Sequence, residues 1–213
     1  MSYVIEILPS LLSGASMTLQ VFVLVLIFSI PLGVLIAFAL QVHWKPLHHL
    51  INIYIWIMRG TPLLLQLIFI YYVLPSIGIR LDRLPAAIIA FVLNYAAYFA
   101  EIFRGGIDTI PKGQYEAAKV LKFSPFDTVR YIILPQVTKI VLPSVFNEVM
   151  SLVKDTSLVY ALGISDLILV SRTAANRDVS LVPMFLAGFI YLFLIGLVTI
   201  LSKKIEKKYS YYR

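Results

Sequence analysis

Residues 7–44 read ILPSLLSGASMTLQVFVLVLIFSIPLGVLIAFALQVHW, and no Asp, Glu, Lys or Arg interrupts them between Glu6 and Lys45. Those 38 residues exceed the roughly 20 that a helix needs to cross about 30 Å of hydrocarbon. The stretch divides into a shallow N-terminal piece and a first span over about Met17 to Gln41. Pro31 and Gly33 lie mid-span, where a membrane helix tolerates them better than a soluble one. A cleavable leader fits poorly: Met1 to Glu6 lack a basic region, and no small-residue cleavage pattern follows.

Working outward, four more apolar tracts follow. The second runs from Leu47 to Ile79, broken only by Arg59. Its 33 residues make either one long kinked helix or a helix plus a re-entrant piece, and Pro62 would break it just after Arg59. The third covers about Pro85 to Phe103, with Glu101 near its end. The fourth, about Lys139 to Leu167, contains Glu148, Lys154 and Asp155. The fifth, Val179 to Ser202, is uncharged. The runs are continuous rather than alternating, which excludes barrel strands. The expected fold is an all-α membrane protein of about five spans.

Composition agrees. Apolar residues make up 60% and charged residues 14%, too few to cover a soluble globule, while so hydrophobic a chain is not disordered. The net charge of +7 is spread too thinly to make a nucleic-acid face and carries topology information instead. With the N-terminus outside, twelve Lys and Arg fall inside: Lys45, six from Arg104 to Lys139, and five in the tail. Four fall outside (Arg80, Arg83, Arg172, Arg177), and Arg59 and Lys154 stay within the membrane. The topology is N-out, C-in. Cysteine is absent, which removes disulfides and thiolate sites. His43, His48 and His49 cluster at the first cytoplasmic turn. Adjacent His48 and His49 share no helix face, no acid stands near them, and no metal site is expected.

One polar segment, residues 105–138, is too structured to be a connector. Gln114 to Leu121 reads as a short helix. A second starts at Ser124 as N-cap, with Pro125 at N1 and Asp127 three residues on. Pro135 is expected to end it. Spacing alone also allows an amphipathic hairpin resting on lipid.

Glu116-Ala117-Ala118, followed seventeen residues after Ala117 by Leu134-Pro135, resembles the cytoplasmic signature of bacterial ABC importer permeases. Arg59-Gly60-Thr61-Pro62-Leu63, the run Ala97 to Ile107, Pro111-Lys112-Gly113-Gln114 and Lys154-Asp155-Thr156-Ser157-Leu158 look like its polar amino acid subfamily; the motifs argue for amino acids generally, and the basic (arginine, histidine or lysine) type is expected from the charge balance of the candidate site. Where that family usually has Gly, this chain has Lys122. A helix C′ position favours Gly, so Lys should cost about 1 kcal/mol and alter the turn. The resemblance implies a type I importer permease of one domain, 1–213, with 105–138 as the coupling loop. It further implies a second permease subunit, a pair of ATP-binding subunits, an extracytoplasmic amino-acid-binding protein and an amino acid substrate. Gln114, Glu116, Ala117, Ala118 and Leu121 would then dock the ATPase. No G-x-x-x-x-G-K-[ST] loop occurs, so ATP and Mg belong on the partner and this chain binds no cofactor and is not an enzyme.

The polar groups inside the spans form the candidate substrate site. At 100° per residue, Asn94, Tyr98 and Glu101 fall within about 60° of one another, and Glu148 and Asp155 within about 20°, with Ser151 nearby. Such carboxylates face a cavity or a partner and can coordinate an ammonium or guanidinium, while Tyr98 offers a ring face. Arg59, Gly60, Thr61 and Thr156 join them through the motifs, and the Thr61-Pro62 break would free backbone groups for the ends of an amino acid. Against this, Asn94 and Ser151 also serve as interhelical glue, Glu101 can pair with Arg104 at i+3, and Asp155 can pair with Arg59. Candidate acids outnumber bases, which favours cationic substrates such as arginine, lysine or histidine. Alternatives are a glutamine or glutamate permease of the same family, or an autonomous secondary transporter using the acids as proton relays. The expected location is the bacterial cell membrane.

Overall fold

The computed structural model describes residues 2–209; Met1 and Arg213, both used in the charge and topology reading, lie outside them. Every regular element among the described residues is a helix, without strands. Helix α1, Ser2–Ala39, is continuous over 38 residues, or about 57 Å. The shallow N-terminal piece expected before the first span is therefore part of one helix. Pro9 and Pro31 lie inside it without ending it, because in hydrocarbon a helix is the conformation that keeps backbone groups bonded.

Helix α1 packs along α4, Arg83–Asp108. Gly33 permits the approach: a Cβ there would lie 2.6 Å from the Phe99 Cβ and 3.1 Å from the Ala96 carbonyl, and small residues let membrane helices close up in this way. Phe91, Tyr95 and Phe99 of α4 are fully buried in the resulting core.

The second tract is broken. Helix α2, Lys45–Gly60, ends at Thr61, whose φ of −120° and ψ of 147° are extended, as the residue before a proline prefers. Helix α3, Leu63–Ile68, then leads through a π turn and a 3-10 turn to Ile77. The two arms meet at a bend of 106°. Counting that bent pair as one span gives five candidate spans.

The cytoplasmic hairpin begins with α5, Lys112–Val120. Lys122 adopts φ +59°, its N–H donates to the Lys119 carbonyl, and the Phe123 N–H donates to the Ala118 carbonyl, each at 3.0 Å. This is the reverse turn that Gly normally makes, formed intact by Lys. Ser124 caps α6, Pro125–Asp127, by accepting from the Asp127 N–H at 3.1 Å. Pro135 does not end the second arm. A π turn over Thr128–Ile133 shifts the Leu134 N–H onto the Val129 carbonyl, which relieves the clash between a proline ring and the preceding turn. The arm continues into α7, Leu134–Asp155.

The fourth span is not helical to Leu167 as expected. A 3-10 turn over Thr156–Leu162 ends at Gly163, φ +70°. Helix α8, Leu167–Asp178, follows where sequence reading had only a loop. Its Arg172 and Arg177 hid it, but Asp166 had announced it: the carboxylate accepts from the Ile168 and Leu169 N–H groups at 3.1 and 2.9 Å, a standard N-cap. Asp178 at its end accepts from the Tyr3 hydroxyl at 2.6 Å and pairs with Arg177, and these donors hold its carboxyl down at about 2. Helix α9, Val182–Tyr209, completes the chain.

Candidate functional site

The Thr61-Pro62 break is knitted together by side chains. Thr61 Oγ1 donates to the Ile57 carbonyl at 2.8 Å. Gln66 Nε2 donates to Thr61 Oγ1 at 2.8 Å and to the Met58 carbonyl at 3.0 Å. Asn94, buried on α4, donates to that same carbonyl at 2.8 Å and to Gln66 Oε1 at 3.0 Å. The Met58 carbonyl thus accepts two internal bonds, and the Thr61 carbonyl accepts from Gln66 at 3.3 Å. The expectation that the break frees backbone groups fails for these two carbonyls, because Gln66 and Asn94 supply the donors the helix lost. Gly60 borders open space.

Next to the knot, charges run in a chain. Arg59 Nη1 lies 3.3 Å from Glu101 Oε2, and its guanidinium carbon stands 5.2 Å from the centre of the Tyr98 ring. Arg104 grips both oxygens of Glu101, at 3.0 and 2.9 Å, and reaches Asp108 at 2.8 Å. Glu101 is therefore doubly neutralised, in the bidentate geometry that suits arginine. Arg59 takes Glu101 as its acid, not Asp155.

Across the strip, α7 presents Glu148, Ser151 and Asp155, all half-buried. Asp155 Oδ2 accepts from the Tyr95 hydroxyl at 2.7 Å. Among the described residues the ion pairs engage Glu101, Asp108 and Asp178, and neither Glu148 nor Asp155 is in one. Lys154 lies exposed, off this face. Thr156 is fully buried, and its hydroxyl donates to the Val153 carbonyl at 2.7 Å.

The structure thus joins Arg59, Tyr98 and Glu101 directly and ties Asp155 to Tyr95. It turns Asn94, Thr61 and Thr156 to internal bonds. Sequence reasoning missed Gln66 and Tyr95. A polar Gln four residues past a mid-span Pro could have signalled the first; Tyr95, one position from the chosen helix face, carried no signal.

On the hairpin, Gln114, Glu116, Ala117 and Leu121 are exposed, whereas Ala118 is buried. Val120, Leu121, Phe126 and Tyr131 are apolar or aromatic and exposed. Arg130 lies 6.0 and 5.3 Å from the ring centres of Phe126 and Tyr131.

Residues 29–211 match the family described as binding-protein-dependent transport system inner membrane components. The chain belongs to this family, a multi-pass inner-membrane permease with the type I ABC importer fold. The family is a channel-forming membrane component, not itself catalytic. Among its relatives is a permease named for a glutamine transport system, GlnP of Rickettsia felis, 37% identical over 97% of both chains. The arginine transport system permease ArtQ of Bacillus subtilis is 34% identical, covering 94% of this chain and 93% of its own. The L-cystine permease TcyB of the same bacterium is 35% identical over 96% and 88%. Among solved structures, a crystal structure of an amino acid ABC transporter with histidines aligns with a TM-score of 0.88 and 30% identity over 97% of both chains. An inward-facing MetNI methionine ABC transporter aligns at 0.75 with 18% identity over 98% of this chain and 99% of its own, a likeness of fold.

Proposed function

We propose that this chain lines the pathway of an ATP-driven importer for cationic amino acids. Two copies would work with a pair of ATP-binding subunits and an extracytoplasmic binding protein. One observation carries the cationic reading: Glu101 is saturated by two arginines, whereas Glu148 and Asp155 stand outside every ion pair described. A guanidinium or ammonium entering beside them would complete the charge balance that a buried carboxylate requires. Arg59, Gly60, Tyr98 and Ser151 would border the substrate, with Arg59 available to its carboxylate end. Asn94, Thr61 and Thr156 would shape the site rather than touch the cargo. The polar strip is half-exposed on a single chain, and a two-fold partner would close it. Glu116, Ala117 and Leu121 would meet the ATPase, with Gln114 beside them and Ala118 packing the hairpin from within. ATP and Mg would be held by that subunit.

The similarity to GlnP favours glutamine as a second reading. The two separate in proteoliposomes carrying the permease, its ATPase and its binding protein. Glu148→Gln should depress arginine uptake about tenfold, the equivalent of about 1.4 kcal/mol, and leave glutamine uptake within about twofold. An equal fall for both substrates would remove the basis of the cationic reading.

A further inference from the structure

Where α1 ends and α2 begins, the chain leaves a groove of about 630 Å³. Its polar lining is Gln41, His43, Lys45, His48, His49 and Asn52, over a floor of Leu40 and Val42. No acid is among these residues. From another helix Asp108 accepts from Gln41 at 3.5 Å and is already paired with Arg104 at 2.8 Å. The ionisable groups of the lining are Lys45 and three histidines, and Gln41 and Asn52 add amide donors. Asn52 Nδ2 lies 2.8 Å from His48 Nδ1, so that contact engages Nδ1 and leaves the ring's Nε2 outside it. The groove also opens at the start of a 16-residue helix, whose dipole adds to the positive potential.

The surroundings are those of a bilayer boundary. Trp44, between His43 and Lys45, is 61% exposed, and Leu50 and Trp56 continue an exposed apolar surface along α2. Interfacial Trp beside Lys is the pattern of a headgroup level. The Gln41–Asp108 contact places the groove at the same end of the molecule as the coupling hairpin, since Asp108 closes α4 just before α5.

We infer that this groove binds the headgroup of an anionic phospholipid of the cytoplasmic leaflet, with the phosphate at Lys45, His48 and the start of α2 and the acyl chains along the apolar side of α2. This site is separate from the substrate strip and does not depend on its reading.

Trp44 is the built-in reporter. The chain has two tryptophans, so Trp56→Phe leaves Trp44 alone. The full-length Trp56→Phe permease would be reconstituted in phosphatidylcholine bilayers containing a minor fraction of either brominated phosphatidylglycerol or brominated phosphatidylcholine. Preferential occupancy predicts Trp44 quenching by the glycerol lipid that reflects an enrichment of about fivefold, the scale of one lysine at an anionic surface. Adding Lys45→Gln, His48→Gln and His49→Gln should bring the two lipids to parity, while Lys45→Arg alone should keep the preference. Circular dichroism of each variant checks that the helices persist. Parity in the parent would overturn the assignment, as would a preference surviving the triple substitution. Abolition of the preference by inorganic phosphate would also overturn it, because the groove would then hold a small anion and not a lipid.

Discussion

The coupling hairpin and the polar strip within the spans are both built from charged and aromatic side chains, yet they satisfy those groups in opposite ways. The hairpin uses local bonds: Ser124 with Asp127, Lys122 with Lys119, Phe123 with Ala118. Several of its apolar side chains stay outside, with Val120 81% and Phe126 68% exposed. The strip joins residues remote in sequence, such as Arg59 with Glu101 and Tyr95 with Asp155. Water can satisfy a hairpin's polar groups, so its surface is free to be shaped for a partner. Within a membrane each polar group must find its own partner first, and the proposed function assigns those left over to cargo.

The largest effect should come from the hairpin. Ala117→Glu or Glu116→Arg places a wrong charge at the centre of the proposed ATPase contact. ATP-driven uptake should fall about a hundredfold, the scale of an interface hot spot, with far-ultraviolet dichroism unchanged. Co-purification of the ATPase with undiminished yield and full uptake in both variants would break the comparison, since the hairpin would then be no docking element.

This contrast also explains what could be read in advance. The hairpin's first helix and the Ser124 cap were visible because capping is a rule of a few adjacent residues. Pro62 broke its tract for the same reason. Pro135 misled, because a π turn upstream removed the clash that a proline ordinarily causes, and no local pattern announces that shift. In the strip, helical periodicity placed Glu148 and Asp155 on one face but could not choose partners for them. Which base meets Glu101 depends on how α2 crosses α4, and Tyr95 reaches Asp155 only because α7 packs against the same helix. Partner choice is a tertiary fact.

Within the strip, the saturated and unsaturated acids should differ in stability. Glu101→Gln leaves Arg59 and Arg104 close together without their shared carboxylate, and should cost about 2 kcal/mol. Glu148→Gln removes a charge that stands in no ion pair and should be neutral or slightly stabilising. Thermal midpoints of the two variants in one detergent provide the test, and the reverse order would place the needed charge on Glu148.

A smaller loss is expected at Tyr95→Phe. It deletes a 2.7 Å bond to Asp155 from a fully buried ring while keeping the packing. A hydrogen bond to a charged group contributes about 1.5 kcal/mol or more, so the midpoint should drop by that equivalent. A parallel loss of arginine uptake with glutamine uptake retained would show that the hydroxyl also aims the carboxylate. No change in midpoint would mean that Asp155 finds another donor as good.

The smallest effect belongs to the hairpin again, and it runs in the stabilising direction. Lys122 holds φ +59°, where a side chain clashes with its own backbone and glycine does not. The turn is nevertheless complete, so the strain is borne by the native state and Lys122→Gly should release it. Glycine also gains freedom in the unfolded chain, which offsets part of the gain; the net is about 0.5–1 kcal/mol. Global unfolding of a membrane protein would bury so small a change, but local opening of the turn would not. The Phe123 amide, bonded to the Ala118 carbonyl at 3.0 Å, should exchange with deuterium about two- to fivefold more slowly in Lys122→Gly. Lys122→Asn should lie between the two, because Asn visits this region more readily than Lys, and Lys122→Val should exchange faster than the parent. Slower exchange in the valine variant would show that the turn carries no strain, and faster exchange in the glycine one would show that the lysine side chain makes a compensating contact. The hairpin would then hold itself together by more than its own backbone rules.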